Sequence, residues 1–345
     1  MTKREVHFDS TTGGAAVLAL LLLQLFPFHS TLSQNGVNAQ IARLFERDSV
    51  TILITDSGLG GLSVCADLEA RLSKLRSFKK VKLVFVNALP DIARTYNSMT
   101  NKQAQARVFD KALEGFDRWY QPDAILIACN TLSAVYPETE FARSATIPVV
   151  SIIDVGARMI ADRVKANLNS SVLVFGTATT ISSGLYDQKL GLLGVPRTEI
   201  VTQSCAMLES EIQADPNSDV VGNLVDVYVG QALEKIGKPP SGTLVVGLCC
   251  SHYGYSLDAF DRSFKQNSTL KYELVNPNKA MVSLFENAAI KGKVPQTSMS
   301  VEVTSRVKFT EQEVSSISRS VGTTSQKTAE ALKHYTFNEN LFQVK

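Results

Sequence analysis

A chain of 345 residues that is 44% hydrophobic and 20% charged suits a globular protein of about two domains and argues against global disorder. Its 35 basic and 33 acidic residues leave a net charge of +2 with no basic block, so no nucleic-acid or acidic-lipid partner is expected. Five cysteines, an odd number without a C-x-x-C pair, argue against a disulfide framework or zinc ribbon, and the four scattered histidines point away from a metal site.

Residues 1–48 read as a leader and linker. Lys3 and Arg4 precede an apolar run, Ala15–Phe28, broken only by Gln24. Its 14 residues are too few to cross a bilayer of ~30 Å, but they match the hydrophobic region of a secretory signal peptide. Val37-Asn38-Ala39 and Thr31-Leu32-Ser33 both offer small-x-small cleavage sites, while Glu5 and Asp9 offset the two cations. The expectation is export to the periplasm or beyond, or membrane anchoring through the leader, with a cytoplasmic location as the alternative.

From Val50 onward, short β-branched apolar runs alternate with amphipathic helical patterns. Thr51–Thr55 precedes the loop Asp56–Gly61 and a helix near Leu62–Leu75; Val81–Val86 precedes a long loop and a helix near Lys102–Trp119. Ala124–Ala128, Val149–Ile153, Val172–Phe175 and Leu244–Gly247 continue the series. Such runs predict βαβ units around buried parallel sheets, an α/β doubly wound fold. A domain break falls near Pro148–Ser151, and two similar halves suit a pseudo-symmetric pair. Ligands of such sheets bind beyond the strands' carboxyl ends.

Three motifs fall at those ends. Asp56-Ser57-Gly58-Leu59-Gly60-Gly61 is a glycine loop whose backbone N–H groups can approach an anion. It departs from the dinucleotide fingerprint, because Ser63 stands at the third glycine position and the next strand ends at Asn87. Asp56 reads as a helix cap or as an acid/base partner. Cys129-Asn130-Thr131 places a thiol where a helix N-terminus can stabilise its thiolate, or simply a buried cysteine beside a cap. In Cys250-Ser251-His252-Tyr253 a histidine two residues on can relay the thiol's proton. Cys65, Cys205 and Cys249 read as packing. Two such thiols on opposite faces of one carbon are what a racemase needs, one removing the α-proton and the other returning one.

The chain resembles the aspartate/glutamate racemase family, glutamate racemase above all, over roughly Thr51–Phe285. The glycine loop resembles the family's D-S-G-x-G-G, Cys129-Asn130-Thr131 its C-N-T, and Cys250-Ser251-His252-Tyr253 its C-T-H-Y. Gly176-Thr177-Ala178-Thr179 with Ser182 and Tyr186, and Asn276-Pro277, resemble two further segments. The resemblance implies two pseudo-symmetric α/β domains with the site in the cleft between them: residues 49–150 plus 268–345, and 151–267. It implies Cys129 and Cys250 as acid/base thiols, assisted by Asp56 and His252 respectively. Ser57, Asn130, Thr131 and Ser251 would bind the amino and carboxylate groups of an acidic amino acid, with neither metal nor pyridoxal phosphate. The family's P-Y-G loop, which holds the substrate's far carboxylate through backbone donors, aligns with Thr95-Tyr96-Asn97, where a left-handed Asn97 could stand in for glycine. The family's glutamate after Cys205 is Glu209 or Glu211. Glutamate is the leading substrate, with aspartate or another acidic amino acid next, and an exported non-catalytic binding relative as the rival from a different class. A homodimer is left open.

Overall fold

The fold is given by a computed structural model, which describes residues 34–344 except 100, 238 and 239. Its strands in chain order are β1 (Ser49–Asp56), β2 (Lys80–Asn87), β3 (Ala124–Ile127), β4 (Val149–Ser151), β5 (Ser171–Gly176), β6 (Ile200–Ser204), β7 (Leu244–Cys249), β8 (Tyr272–Val275), β9 (Ser298–Ser305) and β10 (Thr336–Phe337). They form a six-stranded sheet, β10-β9-β2-β1-β3-β4, and a four-stranded sheet, β6-β5-β7-β8. Every pairing is parallel. The two α/β halves expected from the sequence are therefore present.

The apolar runs are continuous because each sheet is buried on both faces. Ile52 and Ile54 of β1 pack into one apolar cluster, and Leu53 into another on the opposite face. Leu173 and Phe175 of β5 likewise face one cluster, while Val172 and Val174 face a second. The chain leaves the first sheet after β4 through helix Ile152–Ala166. It returns after β8 through helix Asn278–Ala288, whose Met281 and Phe285 join the core beneath helix Leu62–Leu75. The second sheet's last strand thus follows residue 267, and β9 then inserts beside β2.

The expected localisation is corrected. Among the described residues no helix is long and apolar enough to cross a membrane. The 19-residue helix Lys102–Tyr120 is long enough, but it carries Arg107, Asp110, Lys111, Glu114, Asp117 and Arg118 along its length. The expected cleavage site Val37-Asn38-Ala39 lies inside helix Gln34–Leu44, whose Ile41 and Leu44 are buried in the first core. The apolar run Ala15–Phe28 and the site at Thr31–Ser33 lie outside the described residues.

Candidate active site

The carboxyl ends of β1, β3 and β7 carry the three predicted loops and bring them together. Between them lies a cavity of about 20 Å³ lined by Asp56, Ser57, Asn97, Cys129, Asn130, Thr131, Thr177, Glu209, Cys250, Ser251 and His252. That is room for roughly one water molecule. A cleft of about 750 Å³ elsewhere, lined by Ser63, Arg163, Asn276 and Thr323 among others, holds neither thiol. The small cavity is the candidate site, because both predicted cysteines line it together with Asp56 and His252.

The glycine loop makes that convergence possible. A Cβ on Gly60 would stand 2.4 Å from Ser251 Oγ and 2.7 Å from the His252 backbone nitrogen, closer than packed atoms approach. Tyr255 ties the same loop from the other half, its hydroxyl donating to Leu59 O at 3.1 Å. Asn278 Nδ2 donates both to Ser251 O at 2.9 Å and to Ser63 Oγ at 2.8 Å. Cysteine loop and glycine loop are thus clamped face to face.

Each thiol has a defined surround. Cys129 is the N-cap of helix Asn130–Val135, with Ser57 Oγ at 3.2 Å and the Leu132 N–H at 3.5 Å from its sulfur. A helix terminus stabilises an anion by about 0.3–1 kcal/mol, less than one pH unit. Burial is larger here and, with the nearby Asp56 charge, pushes the thiol up to about 12. The expectation of a thiolate held by the dipole is therefore corrected, and desolvation decides. Burial likewise holds Cys250 well above its usual value, with the Glu209 charge adding to it. Its sulfur stands 3.8 Å from His252 Nδ1, and burial keeps that imidazole below its usual value.

The remaining predicted residues divide. Asp56 does not cap the following helix: its Oδ1 accepts the Gly58 N–H at 3.0 Å and its buried Oδ2 has no partner. Tyr186 donates to Asn130 Oδ1 at 2.7 Å, while Asn130 Nδ2 is buried without a partner and the residue lines the cavity. Thr131 shares a hydrogen bond with Thr177 at 2.9 Å. Tyr96 is not part of the lining. Its ring packs edge-on against Phe109 and its hydroxyl donates to Ala88 O at 3.1 Å, so it belongs to the core. Asn97 sits in the 3-10 turn Tyr96–Ser98 without positive φ. It offers its side chain, donating to Glu209 Oε1 at 2.9 Å, and the left-handed reading is corrected.

Glu209, and not Glu211, lines the cavity. Burial raises its carboxyl above the usual range, and its Oε2 is buried without a partner. Sequence reasoning did not identify Thr177 or Gln213 as site residues. Gln213 was detectable in principle, since it lies four residues after Glu209 on one helix face.

A cysteine loop from each of two parallel sheets, meeting at one small cavity, defines a two-lobed α/β protein with its candidate site between the lobes. Residues 52–237 match the Asp/Glu/Hydantoin racemase family. The chain is 31% identical over 200 residues to a glutamate racemase of a Sulfurihydrogenibium species, covering 58% of this chain and 70% of that one. It is 30% identical over 207 residues to one of Streptococcus equi, covering 60% and 70%. In fold it resembles the glutamate racemase of Francisella tularensis solved with D-glutamate, with TM-score 0.61, 23% identity, and 81% and 96% of the two chains covered. The glutamate racemase isoform RacE1 of Bacillus anthracis gives TM-score 0.59 at 20% identity, covering 85% and 96%. The chain belongs to the Asp/Glu/Hydantoin racemase family.

Proposed function

We propose that this racemase inverts the α-carbon of a small acidic amino acid, aspartate or glutamate, with Cys129 and Cys250 as its two acid/base groups. The observation that carries this reading is the set of unsatisfied atoms around the cavity. Asp56 Oδ2, Asn130 Nδ2 and Glu209 Oε2 are all buried without partners, and all three residues line it together with both thiols. Each such atom costs about 1–3 kcal/mol when left unpaired. A ligand that presents both an anion and a cation relieves the cost, and an amino acid zwitterion does so. Asn130 Nδ2 donates to the α-carboxylate, and the carboxyl oxygens of Asp56 and Glu209 accept from the ammonium. Ser57, Thr131 and Ser251 supply further hydroxyls.

In one direction a cysteine thiolate takes the α-proton, so the C–H bond breaks as S–H forms. The opposite thiol then gives its proton to the other face of the carbanion. Burial that raises both thiols makes their thiolates stronger bases, narrowing the gap to a weakly acidic carbon. It also makes thiolate scarce: a thiol at about 12 is ionised in roughly one molecule in 10⁵ at neutral pH. The cavity must widen from its one-water volume to admit the substrate, and the bound ammonium then offsets that scarcity by placing a cation beside the sulfurs. Asp56, whose charge acts on both sulfurs, and His252 are the groups that receive or return the thiol protons.

The relatives named as glutamate racemases make glutamate the first substrate to test, with aspartate beside it. Polarimetry with L-glutamate, L-aspartate and L-glutamine should show loss of optical rotation with at least one acidic substrate. L-Glutamine should react at least ~100-fold more slowly. Equal turnover of L-glutamine would defeat the acidic-substrate assignment, and failure of both acidic amino acids would defeat the whole reading.

A further inference from the structure

Gln213, on helix Leu208–Ala214, joins three parts of the chain. Its Oε1 accepts the Leu59 backbone N–H at 2.7 Å, and its Nε2 donates to Glu313 Oε1 at 2.5 Å. These two contacts fix which end of the amide is which. Turned round, its NH₂ would face an N–H donor and its oxygen would face a carboxylate. Glu313 is itself held, because its Oε2 accepts from Thr310 N at 2.8 Å and Thr310 Oγ1 at 2.9 Å in the capping box that opens helix Glu311–Gly322.

The same Gln213 Oε1 lies 3.0 Å from His252 Nε2. An acceptor facing a ring nitrogen at that distance requires hydrogen on it. Burial disfavours the charged ring; the neutral ring has one proton to place, and with it on Nε2 facing Gln213 Oε1, Nδ1 is left as a lone pair beside Cys250 Sγ.

We propose that Gln213, anchored by Glu313, is a positioning residue that selects the Nε2–H tautomer of His252 and so presents Nδ1 as the acceptor for the Cys250 thiol proton. In that transfer the S–H bond breaks as N–H forms at Nδ1, giving a thiolate and an imidazolium whose Nε2–H still points at Gln213. Reprotonation of sulfur reverses the step. The charges of Asp56 and Glu313 favour the cation while it exists. The inference rests on the reading of Cys250 as an acid/base group, and it brings a residue of the C-terminal segment into that group's chemistry.

Nitrogen-15 NMR of histidine-labelled protein reads the tautomer directly, with a His252→Gln variant identifying the ring's signals. The resting protein should show hydrogen on Nε2 and none on Nδ1. Gln213→Leu and Glu313→Ala should each lose that preference, and kcat should fall at least ~10-fold while KM moves less than ~3-fold. The exchanged pair, Gln213→Glu with Glu313→Gln, keeps an acceptor at 213 and a donor at 313. It should restore the tautomer and most of the rate. It should also move the acid limb of the pH profile upward, because a carboxylate now adjoins the ring. A purely structural role predicts no such shift. Hydrogen on Nδ1 in the resting protein, or an unchanged tautomer in Gln213→Leu, overturns the proposal. The expected tautomer together with a fully active Cys250→Ala variant would instead overturn the functional reading beneath it.

Discussion

At the scale of single residues, two thiols, a carboxyl group and an imidazole meet at the carboxyl ends of β1, β3 and β7. Cys129, Cys250, Asp56 and His252 all reach one cavity. What the sequence hid was how each side chain is used. At Asn97 the aligned loop suggested a backbone role, yet the residue takes ordinary 3-10 geometry and spends its amide on Glu209. A consequence follows for substitution. Asn97→Gly and Asn97→Val remove the same amide, so both should lower kcat/KM by a similar factor, about 10-fold or ~1.4 kcal/mol. Steady-state kinetics of the two variants side by side check this. A Gly variant near wild type beside a dead Val variant would return the role to the backbone.

At the scale of elements, β1, β2, β3 and β7 could be read directly, since strands buried on both faces leave unbroken apolar runs. β8 and β10 could not. β8 is an edge strand that is mostly half-buried, and β10 is two exposed residues. β9 alternates Ser, Glu and Thr with apolar residues because its first half is partly exposed, and its insertion beside β2 is a long-range pairing that no local pattern announces. Loop contacts between the halves were equally invisible, and Gly60 shows their importance. Gly60→Ala puts a Cβ against Ser251 and the His252 backbone, so the two loops must separate. Racemisation should fall about 100-fold, as expected for misplacement near 1 Å, with the far-ultraviolet circular dichroism unchanged. Retention of more than half the activity would show that the loops do not need this approach.

For the whole molecule, five buried cysteines make stability depend on pH. Each thiol lies above its ordinary 9.0 in the folded chain, Cys65, Cys129, Cys205 and Cys249 reaching about 12. Above pH 9 the unfolded chain loses these protons while the folded chain keeps them, so stability falls as pH rises. At pH 10 the loss is on the order of 1 kcal/mol for each thiol so raised, and several together reach the same order as the total stability of a domain. His252 acts at the other end: its value is below the ordinary 6.5, so the unfolded chain gains its proton first and stability falls as pH drops through that region. Thermal unfolding from pH 5 to 10 should therefore show a plateau between about 6.5 and 9 with a steep alkaline edge. A midpoint unchanged at pH 10 would mean the thiols are not buried.

The central claim is that one thiol from each half works on one carbon. Its most direct test is enantiomer interconversion in deuterated water by the wild-type protein, Cys129→Ala and Cys250→Ala, with deuterium followed in both enantiomers from the first turnovers. The wild type should place deuterium first in the product enantiomer while the starting enantiomer keeps its α-proton, because proton removal and return use different groups. Each variant should lose racemisation by at least ~10³-fold. Racemisation at the wild-type rate by either variant, or early deuterium in the starting enantiomer of the wild type, would contradict it.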